Sequence, residues 1–143
     1  MNQLVIGYDE DVQRWVASQL GTKPVGDAVA IGVARQGKPI AGVVYHDLRL
    51  CMDTGEPLSV EATIASSDPR WASRRVLYTF FAYPFLQLKA KRLTTLCNAD
   101  DADVVSFNKR LGFVKESVLR YGWSRKHNAV LWRMTAGECR WIR

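Results

Sequence analysis

Arginine side chains cluster where a predicted strand runs into a predicted helix. Residues 68–75 read Asp-Pro-Arg-Trp-Ala-Ser-Arg-Arg. Backbone N–H groups in the first turn of a helix have no intrahelical partner and point toward whatever lies in front of the helix. Phosphate is their natural ligand, and Arg70, Arg74 and Arg75 would add positive charge there. The segment predicts a phosphate-binding turn, although an arginine-rich first turn that is only solvated would have the same sequence.

The net charge of the chain, +6, is unevenly distributed. Residues 1–69 hold five Lys and Arg against nine Asp and Glu, a net charge of −4, whereas residues 70–143 hold fifteen against five, a net charge of +10. A strongly basic half predicts a polyanionic partner. A nucleotide-bearing cofactor such as CoA would fit, and so would nucleic acid.

Aromatic and arginine residues alternate near the end of the chain, as in surfaces that stack bases along a phosphate backbone. The alternative is that Trp123 and Trp132 pack inside the last strands. No RNP, KH or helix-turn-helix signature is present. The residues concerned are Arg120, Trp123, Arg125, Arg133, Arg140 and Trp141.

Length and composition predict one globular domain spanning residues 1–143, with 48% apolar and 24% charged residues. The longest apolar run, Val76–Leu88, is too short for a bilayer, and the first residues do not form a signal peptide, so we expect a cytoplasmic protein. The three cysteines are widely spaced, and the two histidines are far apart in sequence. We therefore expect neither disulfides nor a metal site.

Hydrophobic periodicity and turn residues predict strands and helices in the order βα, β-hairpin, β, α, β, α, β, β. The βαβ unit over residues 58–98 should be parallel. This order favours an α+β or α/β protein whose mixed sheet has helices on both faces. The predicted elements are strand 4–8, helix 9–20, strands 28–35 and 39–48, strand 58–65, helix 71–89 kinked at Pro84, strand 92–98, helix 102–111, and strands 113–123 and 129–135.

Two segments carry a resemblance to a known family. One is Asn98 followed by the helix that ends in Leu111-Gly112-Phe113, and the other is the strand that leads into the basic turn at Arg70. Together with the element order, which matches over most of the chain, they resemble the GNAT superfamily of acyl-CoA-dependent N-acyltransferases. The basic ending with Glu-Cys-Arg-Trp looks like small GNAT-like proteins of bacteriophages and prophages.

The resemblance implies a GNAT-type twisted, mixed α+β sheet of six or seven strands, in which the fourth and fifth strands splay apart to admit pantetheine. It also implies an N-acetyltransferase that uses acetyl-CoA as cosubstrate and acetylates a primary amine by direct attack. The acceptor amine is not identified. A monomer or a homodimer without membrane association is expected.

The resemblance further implies roles for particular residues. Glu61 would accept a proton from the amine, which must be deprotonated before it attacks the thioester. Asn108 would stand near the sulfur, where the family often has a tyrosine. The cofactor-binding residues would be Ala62, Ile64 and Ala65 along the pantetheine, Arg70, Ser73, Arg74 and Arg75 at the pyrophosphate, and Asn98 near the sulfur.

The motifs depart from the family pattern at three positions. Ser73 and Arg75 stand where small residues are usual, and Asn108 cannot act as a proper acid. These changes leave open a catalytically inactive GNAT-like protein that only binds or is associated with a virion. A basic nucleic-acid-binding domain also stays open. Glu61 could equally lie on the solvent face or pair with an arginine, and Asn108 could be an exposed helix residue.

Overall fold

The computed structural model describes residues 1–143 and contains seven strands and three α-helices in the predicted order. None of the helices is long and apolar enough to cross a membrane. The elements are β1 (Asn2–Ile6), α1 (Asp9–Leu20), β2 (Val29–Arg35), β3 (Lys38–Leu50), β4 (Pro57–Ser66), α2 (Arg74–Ala82), β5 (Arg92–Asn98), α3 (Ala102–Leu111), β6 (Val114–Leu119) and β7 (Ala129–Thr135).

All seven strands form one sheet in the order β1-β2-β3-β4-β5-β7-β6. Every neighbouring pair is antiparallel except β4 and β5, which are parallel and are connected through α2. The prediction of a mixed sheet of six or seven strands is confirmed.

The helices cover both faces of this sheet. On one face α1 buries Val12 and Val16 against Ala65 of β4 and neighbouring apolar side chains. On the other face the larger core contains Phe80 and Phe81 of α2 together with Leu111 of α3. Because side chains alternate between faces along a strand, Glu61 and Thr63 lie on the same face as Ala65.

Sequence signals at the helix ends appear as expected. Helix α1 begins with three acidic residues and ends at Gly21, whose φ of 68° is left-handed. At the start of α3, the Asp101 carboxylate accepts a hydrogen bond from the Val104 N–H, and Gly112 with φ 103° ends the helix. Acidic residues at a helix start and glycine after its end both satisfy free backbone groups.

The predicted helix over residues 71–89 is shorter and divided. Residues Pro69–Trp71 form a single 3-10 turn, α2 ends at Ala82, and one π-helical turn follows over Tyr83–Gln87. Pro84 has no N–H and cannot continue the α-helical hydrogen bonds. The chain instead forms a wider, π-helical turn, in which the Leu88 N–H donates to the Tyr83 carbonyl at 2.9 Å.

The last predicted strand pair is also shorter than expected, because β6 ends at Leu119 rather than at Trp123. Trp123 is 45% exposed, so the interpretation that it packs inside a strand is wrong. Trp132 of β7 is buried, and its indole N–H donates to the Cys97 Sγ at 3.2 Å.

Replacing Gly42 with alanine should destabilise the protein by about 1–2 kcal/mol, because it overpacks the contact between α1 and the sheet. A Cβ at this position would lie 2.8 Å from the Val16 Cγ2 and 3.1 Å from the Val12 Cγ1. Urea unfolding measures the change in the free energy of unfolding. Gly137→Ala is the control, since a Cβ there meets nothing within 4 Å. Equal stability of the two variants would contradict the close approach of α1.

Candidate active site

Strands β4 and β5 pair over only three residues each and then diverge. The pairs are Ser59 with Arg92, Val60 with Leu93, and Glu61 with Thr94. Beyond Glu61, β4 stays paired with β3 up to Ser66, and β5 stays paired with β7 up to its end. The two strands therefore open a V-shaped gap in the middle of the sheet, and the expected splaying of the fourth and fifth strands is confirmed.

At the vertex of this gap, a hydrogen bond from a side chain takes the place of the backbone hydrogen bonds between β4 and β5. The buried Thr95 hydroxyl donates to the Ala62 carbonyl at 2.8 Å. Backbone groups alternate in direction along a strand, so the N–H and C=O of Ile64 face the same side as the Ala62 carbonyl. That side has no strand partner beyond Glu61, which leaves polar backbone groups of β4 facing the gap.

The gap forms a cleft of about 500 Å³ whose lining residues come from both faces of the sheet. Its lining mixes apolar and polar groups, as expected for a site that binds a small molecule. On one side it reaches the end of α1 at Gln19 and Leu20, and on the other it reaches Trp71 and Phe107, whose rings contact each other across the α2–α3 side.

Glu61 lies at the vertex of the cleft with 24% of its side chain exposed. Its partial burial raises the pKa of the carboxyl above the usual range, His46 opposes this by lowering it, and Asp47 raises it further. Burial disfavours the charged form of an acid, and such a carboxylate is a better proton acceptor near neutral pH. Glu61 does not lie on an open solvent face, since 24% of its side chain is exposed, and it forms no ion pair with an arginine.

His46, which local sequence patterns do not single out, lies beside Glu61. It is the cross-strand partner of Glu61 in the β3–β4 register. Its Nε2 lies 2.7 Å from the Thr63 Oγ1 and 3.9 Å from the Glu61 Oε2, and its Nδ1 lies 2.6 Å from the Asp47 Oδ2. The register of the hairpin is the signal that would have found this residue.

Three of these side chains, those of His46, Asp47 and Glu61, carry groups that commonly bind metal ions. The ligand atoms of His46, Asp47 and Glu61 all lie within 4.8 Å of one another. Both ring nitrogens of His46 already have hydrogen-bond partners within the protein. A metal ion would have to displace one of those bonds.

Asn108 and Asn98 also face the cleft. Asn108 is buried, with 6% exposure, and none of the side-chain hydrogen bonds of the protein involves its amide. No fully buried side-chain nitrogen or oxygen lacks a partner, so the amide atoms of Asn108 face the solvent of the cleft and are available to a ligand. The Asn98 Oδ1 accepts from the Asp100 N–H at 2.9 Å, which leaves its NH₂ group free to donate. The alternative that Asn108 is an exposed helix residue does not hold.

The arginine turn is engaged within the protein. The Arg70 guanidinium forms an ion pair with the Asp68 carboxylate. The hydrogen bonds that this guanidinium donates are the main reason that the pKa of the Asp68 carboxyl is lowered to about 2. The Arg75 side chain donates to the Asn2 carbonyl at 3.2 Å, and the Ser73 hydroxyl caps α2 by accepting from the Val76 N–H at 3.4 Å. The Arg74 guanidinium has no protein partner.

The predicted site residues thus fall into two groups. The cleft brings together Glu61, Ile64, Ala65, Asn98 and Asn108, with the Ala62 carbonyl at its vertex. A separate open concavity of about 890 Å³ beside β1 is lined by the other group, Arg70, Ser73 and Arg75. Arg74, also predicted to bind the cofactor, is the exposed first residue of α2 and lines neither space.

No family model matches the chain, and no curated protein matches its sequence. Solved structures match the fold. A variant of the spermidine N-acetyltransferase from Vibrio cholerae superposes with a TM-score of 0.73 at 12% identity, covering 95% of this chain and 94% of that chain. A protein from Salmonella typhimurium described as an acetyltransferase and solved with its cofactor acetyl-CoA has a TM-score of 0.69 at 11% identity, covering 94% of both chains.

A GNAT-family protein from Desulfovibrio desulfuricans superposes with a TM-score of 0.65 at 14% identity, covering 95% of this chain and 99% of that chain. Structural similarity at such low sequence identities establishes the fold of this chain. The chain has the GNAT fold, as its sequence resemblance implied.

Proposed function

We propose that this GNAT-fold protein is an N-acetyltransferase that moves the acetyl group of acetyl-CoA to a primary amine by direct attack. The observation that carries the proposal is the cleft between β4 and β5, which has a partly buried carboxylate at its vertex and an unpaired amide in its wall. The structural neighbours support the same chemistry, since one was solved with acetyl-CoA and another acetylates spermidine, a polyamine.

The pantetheine arm would lie along β4 as an additional strand. The backbone N–H and C=O of Ile64 face the cleft and have no strand partner there, so they can pair with the amides of the arm. Each such hydrogen bond contributes about 0.5–1.5 kcal/mol net. Donors in this part of β4 would also polarise the thioester carbonyl and stabilise the negative charge that develops on its oxygen.

The phosphates would meet the first turn of α2. The N–H groups of Arg74 and Arg75 belong to that turn and have no intrahelical acceptor. Of the three arginine side chains in the segment, only that of Arg74 has no protein partner, because Arg70 is paired with Asp68 and Arg75 is bonded to β1. We therefore assign the charge contact with the phosphates to Arg74.

Replacing Arg74 with alanine should weaken acetyl-CoA binding about five- to tenfold, because one charge-assisted contact is lost. Titration calorimetry measures the Kd of each variant. Arg49→Ala is the matched control, since Arg49 is exposed on β3 and does not line the cleft. An unchanged Kd in Arg74→Ala would place the phosphates elsewhere.

The reaction itself needs a base and a path for the leaving group. The ammonium form of the amine gives a proton to Glu61, the free amine attacks the thioester carbon, and the C–S bond breaks as CoA leaves as a thiolate. The nitrogen releases its second proton to water, and water returns one proton to the thiolate. In balance, RNH₃⁺ and acetyl-CoA give the acetamide, CoASH and one proton. The Asn108 amide can hydrogen-bond the departing sulfur, but it has no acidic proton to give, so that proton would come from water.

A second candidate is a GNAT-fold protein that binds its ligand without catalysis. The specific observation in its favour is that Arg70, Ser73 and Arg75 make internal contacts in the segment where the family usually wraps a pyrophosphate. Such a protein would bind acyl-CoA weakly and release no CoA.

The experiment that separates the two follows the release of the CoA thiol from acetyl-CoA with a chromogenic disulfide. The amines offered are spermidine, a peptide with an N-terminal alanine and a peptide with an internal lysine. We expect amine-dependent thiol release with at least one of them and an acetylated product by mass spectrometry. Thiol release no faster than without protein, for all three amines, would contradict catalysis.

A further inference from the structure

We propose that His46 relays a proton from Glu61 in the cleft to solvent, with Asp47 as the exit group. The inference rests on the proposed function, because it concerns the proton that Glu61 takes from the amine. It adds a residue that lies outside the cleft lining and belongs to a different strand.

The β3–β4 pairing aligns the three groups. His46 and Glu61 are direct cross-strand partners, so their side chains project from the same face of the sheet. The gap of 3.9 Å between the His46 Nε2 and the Glu61 Oε2 can be closed by one bridging water. The Thr63 hydroxyl lies 2.7 Å from the same Nε2, so the water would compete with it for that nitrogen.

Solvent exposure is lowest at the His46 ring and highest at Asp47, the proposed exit group. The Glu61 side chain is 24% exposed, that of His46 is 10% exposed and that of Asp47 is 76% exposed. Glu61 and Thr63 line the cleft, whereas His46 and Asp47 line a second concavity of about 870 Å³ at the start of α1. The imidazole therefore stands in the wall between the cleft and an opening to solvent.

The backbone conformation at Asp47 is unusual, and it directs the Asp47 carboxylate toward His46. Asp47 has a φ of 54°, which is left-handed and uncommon for a residue with a side chain. The β3–β4 register shifts between His46 and Arg49, so the strand bulges here. A bulge redirects a side chain, and this one brings the Asp47 Oδ2 to within 2.6 Å of the His46 Nδ1.

The relay would remove the proton that Glu61 takes from the amine. Each turnover leaves one proton on Glu61, which must lose it before the next amine binds. The neutral imidazole accepts that proton at Nε2, and the ring releases its Nδ1 proton toward Asp47 and solvent. Exchange with water then restores the starting tautomer. No oxidation or bond change occurs in the protein.

A purely structural role for His46 makes a different prediction. As a tie between β3 and β4, the ring could carry its proton on either nitrogen, and glutamine could replace it. A relay needs a proton on Nδ1 and no proton on Nε2, so that Nε2 can accept one. The charged groups that act on Glu61 are His46 and Asp47, and the cleft lining contains one other charged residue, Asp101, which caps α3.

The first measurement is the tautomer of His46 in the whole, ligand-free protein, from long-range ¹H–¹⁵N spectra of the histidine rings. We expect the neutral ring of His46 to carry its proton on Nδ1. His127, which is also paired with an aspartate, provides the internal reference. A proton on Nε2 would overturn the relay, because that nitrogen could not accept the proton of Glu61.

The second measurement is kinetic and uses acetyl-CoA with the fastest of the three amines named above. His46→Gln should lower kcat about tenfold, leave KM for acetyl-CoA unchanged and move the acidic limb of the pH profile upward, because the imidazole no longer lowers the pKa of Glu61. His46→Gly should regain activity when imidazole is added. His127→Gln, the control, should match the wild type.

The outcomes separate the two claims. An active wild type whose His46→Gln variant keeps its kcat and pH profile would overturn the relay alone. A wild type that acetylates none of the amines would overturn the proposed function, and the relay with it.

Discussion

Replacing Glu61 with glutamine is expected to lower kcat about 10²–10⁴-fold at neutral pH, the usual contribution of a positioned general base. Glutamine has nearly the same shape but cannot accept the proton of the ammonium group. The carboxylate lies at the vertex of the cleft and not along the predicted path of the phosphates, so the Kd for acetyl-CoA should stay within about twofold. The measurement is steady-state kinetics alongside calorimetric titration.

The pH dependence follows from the raised pKa of Glu61. As the pH falls through that raised pKa, the carboxyl becomes protonated and the wild-type kcat/KM should fall tenfold per pH unit. In Glu61→Gln this acidic limb should disappear. Glu56→Gln is the control, since Glu56 is an exposed residue just before β4. Full activity of Glu61→Gln would remove Glu61 from the mechanism.

Replacing Asn108 with leucine should lower activity while changing stability little. The amide has no protein partner and its atoms reach the solvent of the cleft, so leucine, of similar volume, neither breaks a hydrogen bond nor removes a buried unpaired group. We expect Tm to stay within about 3 °C of the wild type, equivalent to about 1 kcal/mol at this chain length. We expect kcat to fall about 10²-fold, comparable to the loss of one donor aimed at developing charge.

Asn128 is the matched control for this experiment. Its Oδ1 accepts a hydrogen bond from the Tyr121 N–H at 3.0 Å, so Asn128→Leu should lower Tm and leave kcat unchanged. Scanning calorimetry and the thiol-release assay provide both readouts. A fall in Tm of more than about 3 °C in Asn108→Leu would mean that the amide already has a partner in the folded protein.

Local patterns in the sequence were sufficient for the elements that build the cleft. The alternation from Arg92 to Asn98 and the capped helix from Ala102 to Leu111 appear with the predicted bounds. Both signals depend on neighbouring residues, namely strand alternation and helix caps, which act before any long-range contact forms. The order of the elements then predicted the parallel strand pair, although only the resemblance implied that it opens.

Contacts between distant segments could not be predicted in this way. The basic turn was expected to offer three arginine side chains to a phosphate, yet Arg75 is bonded to Asn2, 73 residues away in sequence. His46 was passed over because its partner Glu61 is 15 residues further along a hairpin whose register local patterns do not define. The long loop after β6 likewise left Trp123 outside the core.

The most direct test of the account is calorimetric titration of the wild-type protein with acetyl-CoA. The cleft between β4 and β5 is proposed to hold the pantetheine, and a functional site of this kind should saturate at one molecule per chain with a Kd of about 1 µM to 1 mM. Saturable one-to-one binding in that range is the result we predict. The absence of any saturable heat at millimolar acetyl-CoA would contradict the central claim.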